Sequence, residues 1–215
     1  PVESFCLFFA PGAVESVRRS LAAPLDRLLD DPLPAGLPER PFVERTYPHD
    51  DLLSPALFGL RAELAAGPRE PGWLSERFHA VLERMLVAHQ RVGAEIALLP
   101  AARRATREEL YRRVHLARDY ARALFDAPLS LDELAGVAGL SPNHLLRAFR
   151  QAFGQTPHQY LTGLRLDRAR QLLRETDDPV TEICLAVGFS SLGSFSWLFR
   201  RAAGEPPLRY RRRFR

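Results

Sequence analysis

Residues 139–160 read GLSPNHLLRAFRQAFGQTPHQY, and residues 188–210 read GFSSLGSFSWLFRRAAGEPPLRY. The second stretch repeats the first. Phe149, Arg150, Gly154, Pro157 and Tyr160 recur as Phe199, Arg200, Gly204, Pro207 and Tyr210, each fifty positions on. Upstream, Glu133, Gly139 and Ser141 are answered by Glu182, Gly188 and Ser190 at a spacing of forty-nine. The second copy therefore carries one extra residue, placed by this alignment between Ser190 and Phe195. A period of this length marks a duplicated supersecondary unit.

The unit can be read from its punctuation. Ser130 with Glu133 three positions on is a capping box and predicts a helix from about Leu131. Leu131, Leu134, Ala135 and Ala138 form an apolar stripe at helical spacing. Gly139 supplies the left-handed residue that closes this helix. Ser141 then caps a second helix, with Pro142 at its first position. On that helix Leu145, Ala148, Phe149 and Ala152 point inward. Asn143, Leu146, Arg147 and Arg150 point outward, and His144 sits between the two faces. Two short helices joined by a three-residue turn containing Gly describe a helix-turn-helix over 131–153. The second copy predicts the same unit over 180–203, with helices at about 180–187 and 191–203. Its outward positions are Leu192, Gly193, Ser196, Trp197 and Arg200. Between the copies Thr156, Pro157 and Gln159 open a linker helix over 157–174, which ends at Thr176-Asp177-Asp178-Pro179. Such a helix is roughly 27 Å long at 1.5 Å per residue. A turn of duplex DNA is ~34 Å, so two helices held by this rod suit successive major-groove segments.

These stretches, from SLDELAGVAGLSPNHLLRAF to PVTEICLAVGFSSLGSFSWLFRRAAGEPPLRYRR, closely resemble the AraC/XylS transcription regulators over about residues 108–215. The resemblance implies a mainly α fold: two helix-turn-helix subdomains joined by a linker helix, forming a DNA-binding domain over 105–215. It implies double-stranded promoter DNA and RNA polymerase as partners, a small-molecule effector, and transcriptional activation or repression in the cytoplasm, on the nucleoid. The family often carries a small-molecule-binding β-barrel upstream. Residues 1–104 are then expected as a sensor or dimerisation remnant with a helical linker, and a homodimer is expected through this half.

For base readout, donors and acceptors must reach base edges, whereas phosphate contacts mainly position the protein. Arg147 is the strongest base reader, since a guanidinium can bond guanine O6 and N7 together. Asn143 suits adenine. Arg150 is expected at a phosphate, and His144 at a phosphate or in packing. The second unit offers less: Leu192 and Trp197 are apolar, and Gly193 has no side chain. Trp197 can meet thymine methyls, or else it packs against the neighbouring helix. The second unit is thus expected to discriminate weakly and to lean on phosphates and DNA shape. Phe149, Phe153, Tyr160, Phe195 and Phe199 are expected in the core, and the tail RYRRRFR as a phosphate-contacting or disordered basic end.

The charge is uneven. All thirty basic residues of the 215 are Arg, which reads first as compositional bias. Residues 1–129 hold 17 Arg against 18 acids, and residues 130–215 hold 13 Arg against 8 acids. The basic excess falls on the half with the repeat, as a phosphate footprint requires. Cys6 and Cys184 lack metal-ligand spacing and fit a reducing cytosol. No apolar run reaches a membrane span, and VESFCLFF lacks the basic leader of a signal peptide.

In the first half, residues 2–9 read as a strand, with Pro41–Tyr47 as a second. A lone strand needs a sheet, and the chain begins at Pro1 without Met, so an upstream β-domain ending in Val2–Phe9 is expected. Helices follow near 12–21 and 24–30. Five prolines between 32 and 48 mark a linker. Further helices are expected over 51–66 and 73–98. The second of these carries Leu74, Phe78, Val81, Leu82, Met85, Leu86, His89, Val92 and Ile96 on one face, as core or dimer seam. Thr106, with Glu109 in box position, is expected to cap the next helix, whose stripe is Leu110, Val114, Ala117, Ala121 and Leu124.

An enzyme reading finds no site. His49-Asp50-Asp51 is a compact titratable cluster, but Asp before a helix is simply a good cap. His79 and His89 are ten apart, which does not suit two ligands on one helical face. No phosphate-binding Gly loop or nucleophile motif is present, and no cofactor or metal is expected. The competing reading is a nucleic-acid-binding protein without sequence preference or promoter control. Such binders rely on phosphate contacts and need no matched recognition helices.

Overall fold

The computed structural model describes residues 5–22, 52–67, 70, 72–99, 101 and 103–214. Over these the chain forms ten helices and no strand. It divides into two compact units, Pro1–Glu95 and Ile96–Arg215.

The first unit holds α1 (Ala13–Ala22), α2 (Ser54–Ala65) and α3 (Trp73–Ala97). Val17 of α1 packs with Leu82 and Leu86 of α3, and Phe9 meets Phe78 edge-on at 5.5 Å. The Glu63 carboxylate of α2 accepts from Trp73 Nε1 at 3.0 Å and from Arg77 Nε at 2.9 Å. Along the apolar face of α3, Val81, Leu82, Leu86, Val92 and Ile96 are buried, while Leu74 stays exposed.

The strand expected over 2–9 is not formed where it is described: residues 5–10 carry no regular structure, and Phe8 is 86% exposed. An extended segment with no neighbouring strand leaves its backbone groups without a ladder, so strand geometry brings it nothing. Phe9 anchors the segment to α3 instead. The expected β-barrel remnant therefore has no support among the described residues. The second strand (41–47), the helix at 24–30, the proline-rich stretch and His49-Asp50-Asp51 lie outside them.

The second unit begins its helices with α4 (Arg104–Ala123). Thr106 is not its cap. The helix starts earlier, with Arg103 at the N-cap and no side-chain cap bond. Arg107 Nη1 donates to the Ala101 carbonyl at 2.7 Å and Arg104 pairs with Glu108 at 2.7 Å, which hold the earlier turn. Glu109, the other half of the expected box, instead binds Arg112 and Arg113. Leu110, Val114, Ala117 and Ala121 are buried, as their spacing predicts, but Leu124, the last of the expected stripe, is the C-cap and stays exposed.

Then follow α5 (Leu131–Ala138), α6 (Pro142–Phe153), α7 (Pro157–Glu175), α8 (Val180–Ala186), α9 (Leu192–Ala203) and α10 (Pro207–Arg213). Ser130 Oγ accepts from the Glu133 N–H at 3.1 Å, but the expected box is only half formed. The Glu133 carboxylate accepts from the Tyr120 hydroxyl at 2.8 Å, which ties α5 to α4. Thr156 and Gln159 form both halves of their box, at 3.2 and 2.9 Å.

The extra residue of the second copy is placed differently from the sequence alignment. Leu140 N–H bonds the Ala135 carbonyl, and Phe189 N–H bonds the Cys184 carbonyl, so the spacing of forty-nine persists through Phe189. The cap of α9 is Ser191, which accepts from the Ser194 N–H, and it answers Ser141 at a spacing of fifty. The insertion is therefore Ser190, inside the turn. A turn absorbs one residue, whereas inside a helix it would rotate the outward face by about 100°.

Of the two readings of the basic tail, the disordered one does not hold, since α10 runs through Arg213. Tyr210 is 7% exposed and meets Phe199 edge-on at 5.3 Å, as Tyr160 meets Phe149 at 5.7 Å. Arg211 donates to the Asp178 carbonyl at 2.5 Å. The tail is the second copy's counterpart of the start of α7.

α7 belongs to both halves of this unit. Its Tyr160 lies against Phe149 and Phe153 of the first copy. Its Leu166, Ala169 and Leu173 enter the core of the second, with Ile183, Cys184, Val187, Phe195, Phe199 and Tyr210. Phe149 and Phe199 are fully buried, and truncating either to Ala costs ~3–5 kcal/mol.

Candidate nucleic-acid interface

Two helices present carboxylate-free faces to solvent. On α6 the inward side is closed by Leu145, Ala148 and Phe149, all 0% exposed, so the helix cannot turn about its axis. Asn143, His144, Arg147 and Arg150 are exposed, and Leu146 is half-buried. On α9 Phe195 and Phe199 are the buried anchors. Leu192, Gly193, Trp197 and Arg200 are exposed, and Ser196 is half-buried. Positions 143, 146, 147 and 150 map by fifty onto 193, 196, 197 and 200. Both sets follow the i, i+3, i+4, i+7 spacing that gives one helical stripe. The structure thus brings Asn143, Leu146, Arg147 and Arg150 onto one face, and Gly193, Ser196, Trp197 and Arg200 onto another. His144 and Leu192 sit at the first turns of their helices, beside these stripes.

Electrostatics separate these faces from the rest of the unit. Neither α6 nor α9 contains a carboxylate. Among the described residues Arg147, Arg150 and Arg200 form no ion pair, whereas Arg104, Arg112, Arg113, Arg118, Arg170 and Arg213 are each paired. An unpaired guanidinium on a face without acids keeps its donors for an external acceptor.

Trp197 is 60% exposed, which favours an outward role over packing. The Arg201 guanidinium lies 5.5 Å from the centre of its ring. Arg201 was not among the residues expected at this face. Its signal was present as an i, i+4 partner of Trp197, but one basic residue among thirty carries little weight. Arg113 was missed too: it donates to the Gly139 carbonyl at 3.0 Å and so holds the turn before α6. The hydrogen bond from Arg113 pulls the pKa of the Glu109 carboxyl down from its ordinary value.

Other chemistry is sparse. Among the described residues no cluster of three His, Cys, Asp or Glu is placed to hold a metal. Cys184 is a buried packing residue whose thiol pKa is pushed up by burial. No described helix is long and apolar enough to cross a membrane.

A family profile described as a helix-turn-helix domain matches residues 134–213. The probable transcriptional regulator LumQ of Photobacterium leiognathi is 43% identical over 82 residues, which are 38% of this chain and 33% of that protein. The HTH-type transcriptional regulator ArgR of Pseudomonas aeruginosa is 35% identical over 130 residues, 60% of this chain and 38% of that protein. The HTH-type transcriptional activator RhaS of Escherichia fergusonii is 42% identical over 87 residues, 40% of this chain and 31% of that protein. The chain spans roughly a third of the length of these relatives. Among solved structures, a transcriptional regulator with an AraC-type DNA-binding domain from Chromobacterium violaceum is 36% identical. That alignment covers 48% of this chain and 93% of the other, with a TM-score of 0.46. The paired caps, the repeated aromatic core and the family match agree: residues 134–213 of this chain are a helix-turn-helix domain.

Proposed function

We propose that the chain is a sequence-specific, double-stranded-DNA-binding transcriptional regulator of the AraC/XylS type. The observation that carries this reading is the pair of exposed, carboxylate-free faces on α6 and α9, joined by one strut. Arg147 reads guanine, Asn143 reads adenine, and Arg150 and Arg200 meet phosphates. His144 and Ser196 serve as flanking polar contacts, and Leu146, Leu192, Gly193 and Trp197 line the groove surface. The names of the relatives, regulators and activators of transcription, support the same reading.

RNA polymerase, a homodimer through the first unit and a small-molecule effector belong to the proposal as well. For an effector, the first unit offers a largely apolar cleft of about 350 Å³ lined by Phe8, Phe9, Val17, Leu74, Phe78 and Leu82.

The deciding experiment is a titration of the chain with its selected duplex and with a random duplex, each at two salt concentrations. The regulator reading expects the selected duplex to bind at least ~10³-fold tighter at physiological salt. Equal affinities, falling together as salt rises, would instead favour a binder that reads only phosphates.

A further inference from the structure

Arg165 lies in the middle of α7, two residues after Gly163. Its Nε donates to the Phe125 carbonyl at 2.6 Å, and its Nη2 donates to the Ala127 carbonyl at 2.7 Å. Both carbonyls belong to the loop that leads from α4 into the first helix-turn-helix. The same guanidinium lies 5.8 Å from the ring centre of Phe189, in the turn of the second. Beside it the backbones of the two copies touch. A Cβ placed on Gly188 would lie 2.6 Å from the Asp126 carbonyl oxygen and 3.0 Å from Arg165 Nε. Gly188 also has φ +87°, so its turn both needs glycine and uses the missing side chain to approach the first copy.

We infer that Arg165 is a positioning residue: with Gly188 it clamps the entry loop of the first helix-turn-helix to the turn of the second, and so sets which half-site spacing the domain accepts. The reasoning is mechanical. A helix with glycine in its middle is weaker there than one with alanine. Next to the clamp lies a cleft of about 500 Å³, lined by Phe125 and Asp126 of the entry loop, Arg168 and Leu172 of α7, and Glu182 and Ile183 of α8. The strut alone therefore leaves room for the copies to tilt, and the forked guanidinium closes that freedom by holding two carbonyls at once. Lysine offers its three donors from a single nitrogen on a flexible stem and lacks that rigid planar fork.

This inference rests on the DNA-binding reading, and its test keeps the two separate. Each inserted base pair moves the second half-site by ~3.4 Å and turns it by about 35°. The full chain, Arg165→Ala and Arg165→Lys are titrated against a selected duplex, the same duplex with one or two base pairs inserted between its halves, and each half-site alone. The native chain should lose on the order of 30-fold per insertion. Both variants should lose less than about fivefold, while binding the best spacing some 3–10-fold more weakly, because the linked halves lose effective concentration. Single half-sites should bind all three proteins alike. If both variants keep the native spacing profile, α7 alone sets the geometry and the inference is wrong. It is equally overturned if Arg165→Lys behaves as native, which makes the residue a simple charge, or if both variants lose single half-site binding, which makes it a folding residue. A native chain with no preference for the selected duplex would sink the DNA-binding reading itself.

Discussion

Arg147 and Arg150 share one stripe of α6, yet their expected roles differ, and substitution separates them. Arg147→Ala should cost ~1–3 kcal/mol on the selected duplex and relax the base preference at one position. Arg150→Ala should weaken selected and random duplexes alike and lower the salt slope by about 1. Trp197→Ala should weaken binding with less loss of preference, since indole makes no paired hydrogen bonds to a base. A selection experiment in which the second half-site is the sharper one would overturn that ranking. At this scale the sequence was informative because the stripe follows from helical period and the buried anchors Leu145, Phe149, Phe195 and Phe199. It was uninformative about Arg113 and Arg165. Their partners are backbone carbonyls 26 and about forty residues away, at Gly139, Phe125 and Ala127. Carbonyls are present at every residue and leave no trace in the side-chain code.

At the scale of elements, the caps decided most of what could be read. Ser130, Ser141 and Thr156 each bond the N–H three residues on, so those helix starts were local facts. The second halves of two expected boxes went elsewhere: Glu133 bonds Tyr120, thirteen residues back, and Glu109 pairs with Arg112 and Arg113, while α4 starts before Thr106. The strut α7 permits a direct test. A Cβ on Gly163 meets nothing within 4 Å, and its helix is continuous, so Gly163→Ala should stabilise the fold by about 0.5–1 kcal/mol. Thermal melts should show a rise of roughly 2–6 °C. A fall in melting temperature would mean that the strut needs its glycine for a bend or a close contact that the described structure does not contain.

At the scale of the whole molecule, the second unit starts at Ile96 and includes the segment before α4. Gln151 Nε2 on α6 donates to the Leu98 carbonyl, and Arg107 holds the Ala101 carbonyl. A fragment beginning at Ile96 should therefore fold and bind the selected duplex with the preference of the full chain. One beginning at residue 105 loses both acceptors and should be less stable by ~1–2 kcal/mol, read from denaturant midpoints. Equal midpoints would show that the preceding segment contributes nothing to the unit.

The repeat, the caps, the polar outer faces and the basic bias of the second half all lie in short-range patterns, and by themselves they determined a pair of helix-turn-helix units on a common strut. Each depends on residues within one or two helical turns, where spacing translates directly into geometry. Three features needed the tertiary structure: the position of the extra residue at Ser190, the helix made from the basic tail, and the junction of Arg165, Gly188 and Asp126. The first is a turn choosing how to absorb an insertion, the second depends on Tyr210 finding the Phe199 pocket, and the third joins backbone atoms from loops some sixty residues apart. The expected strand near the N-terminus shows the reverse. Its local composition favoured extension, but a strand exists only when another strand completes its hydrogen bonds.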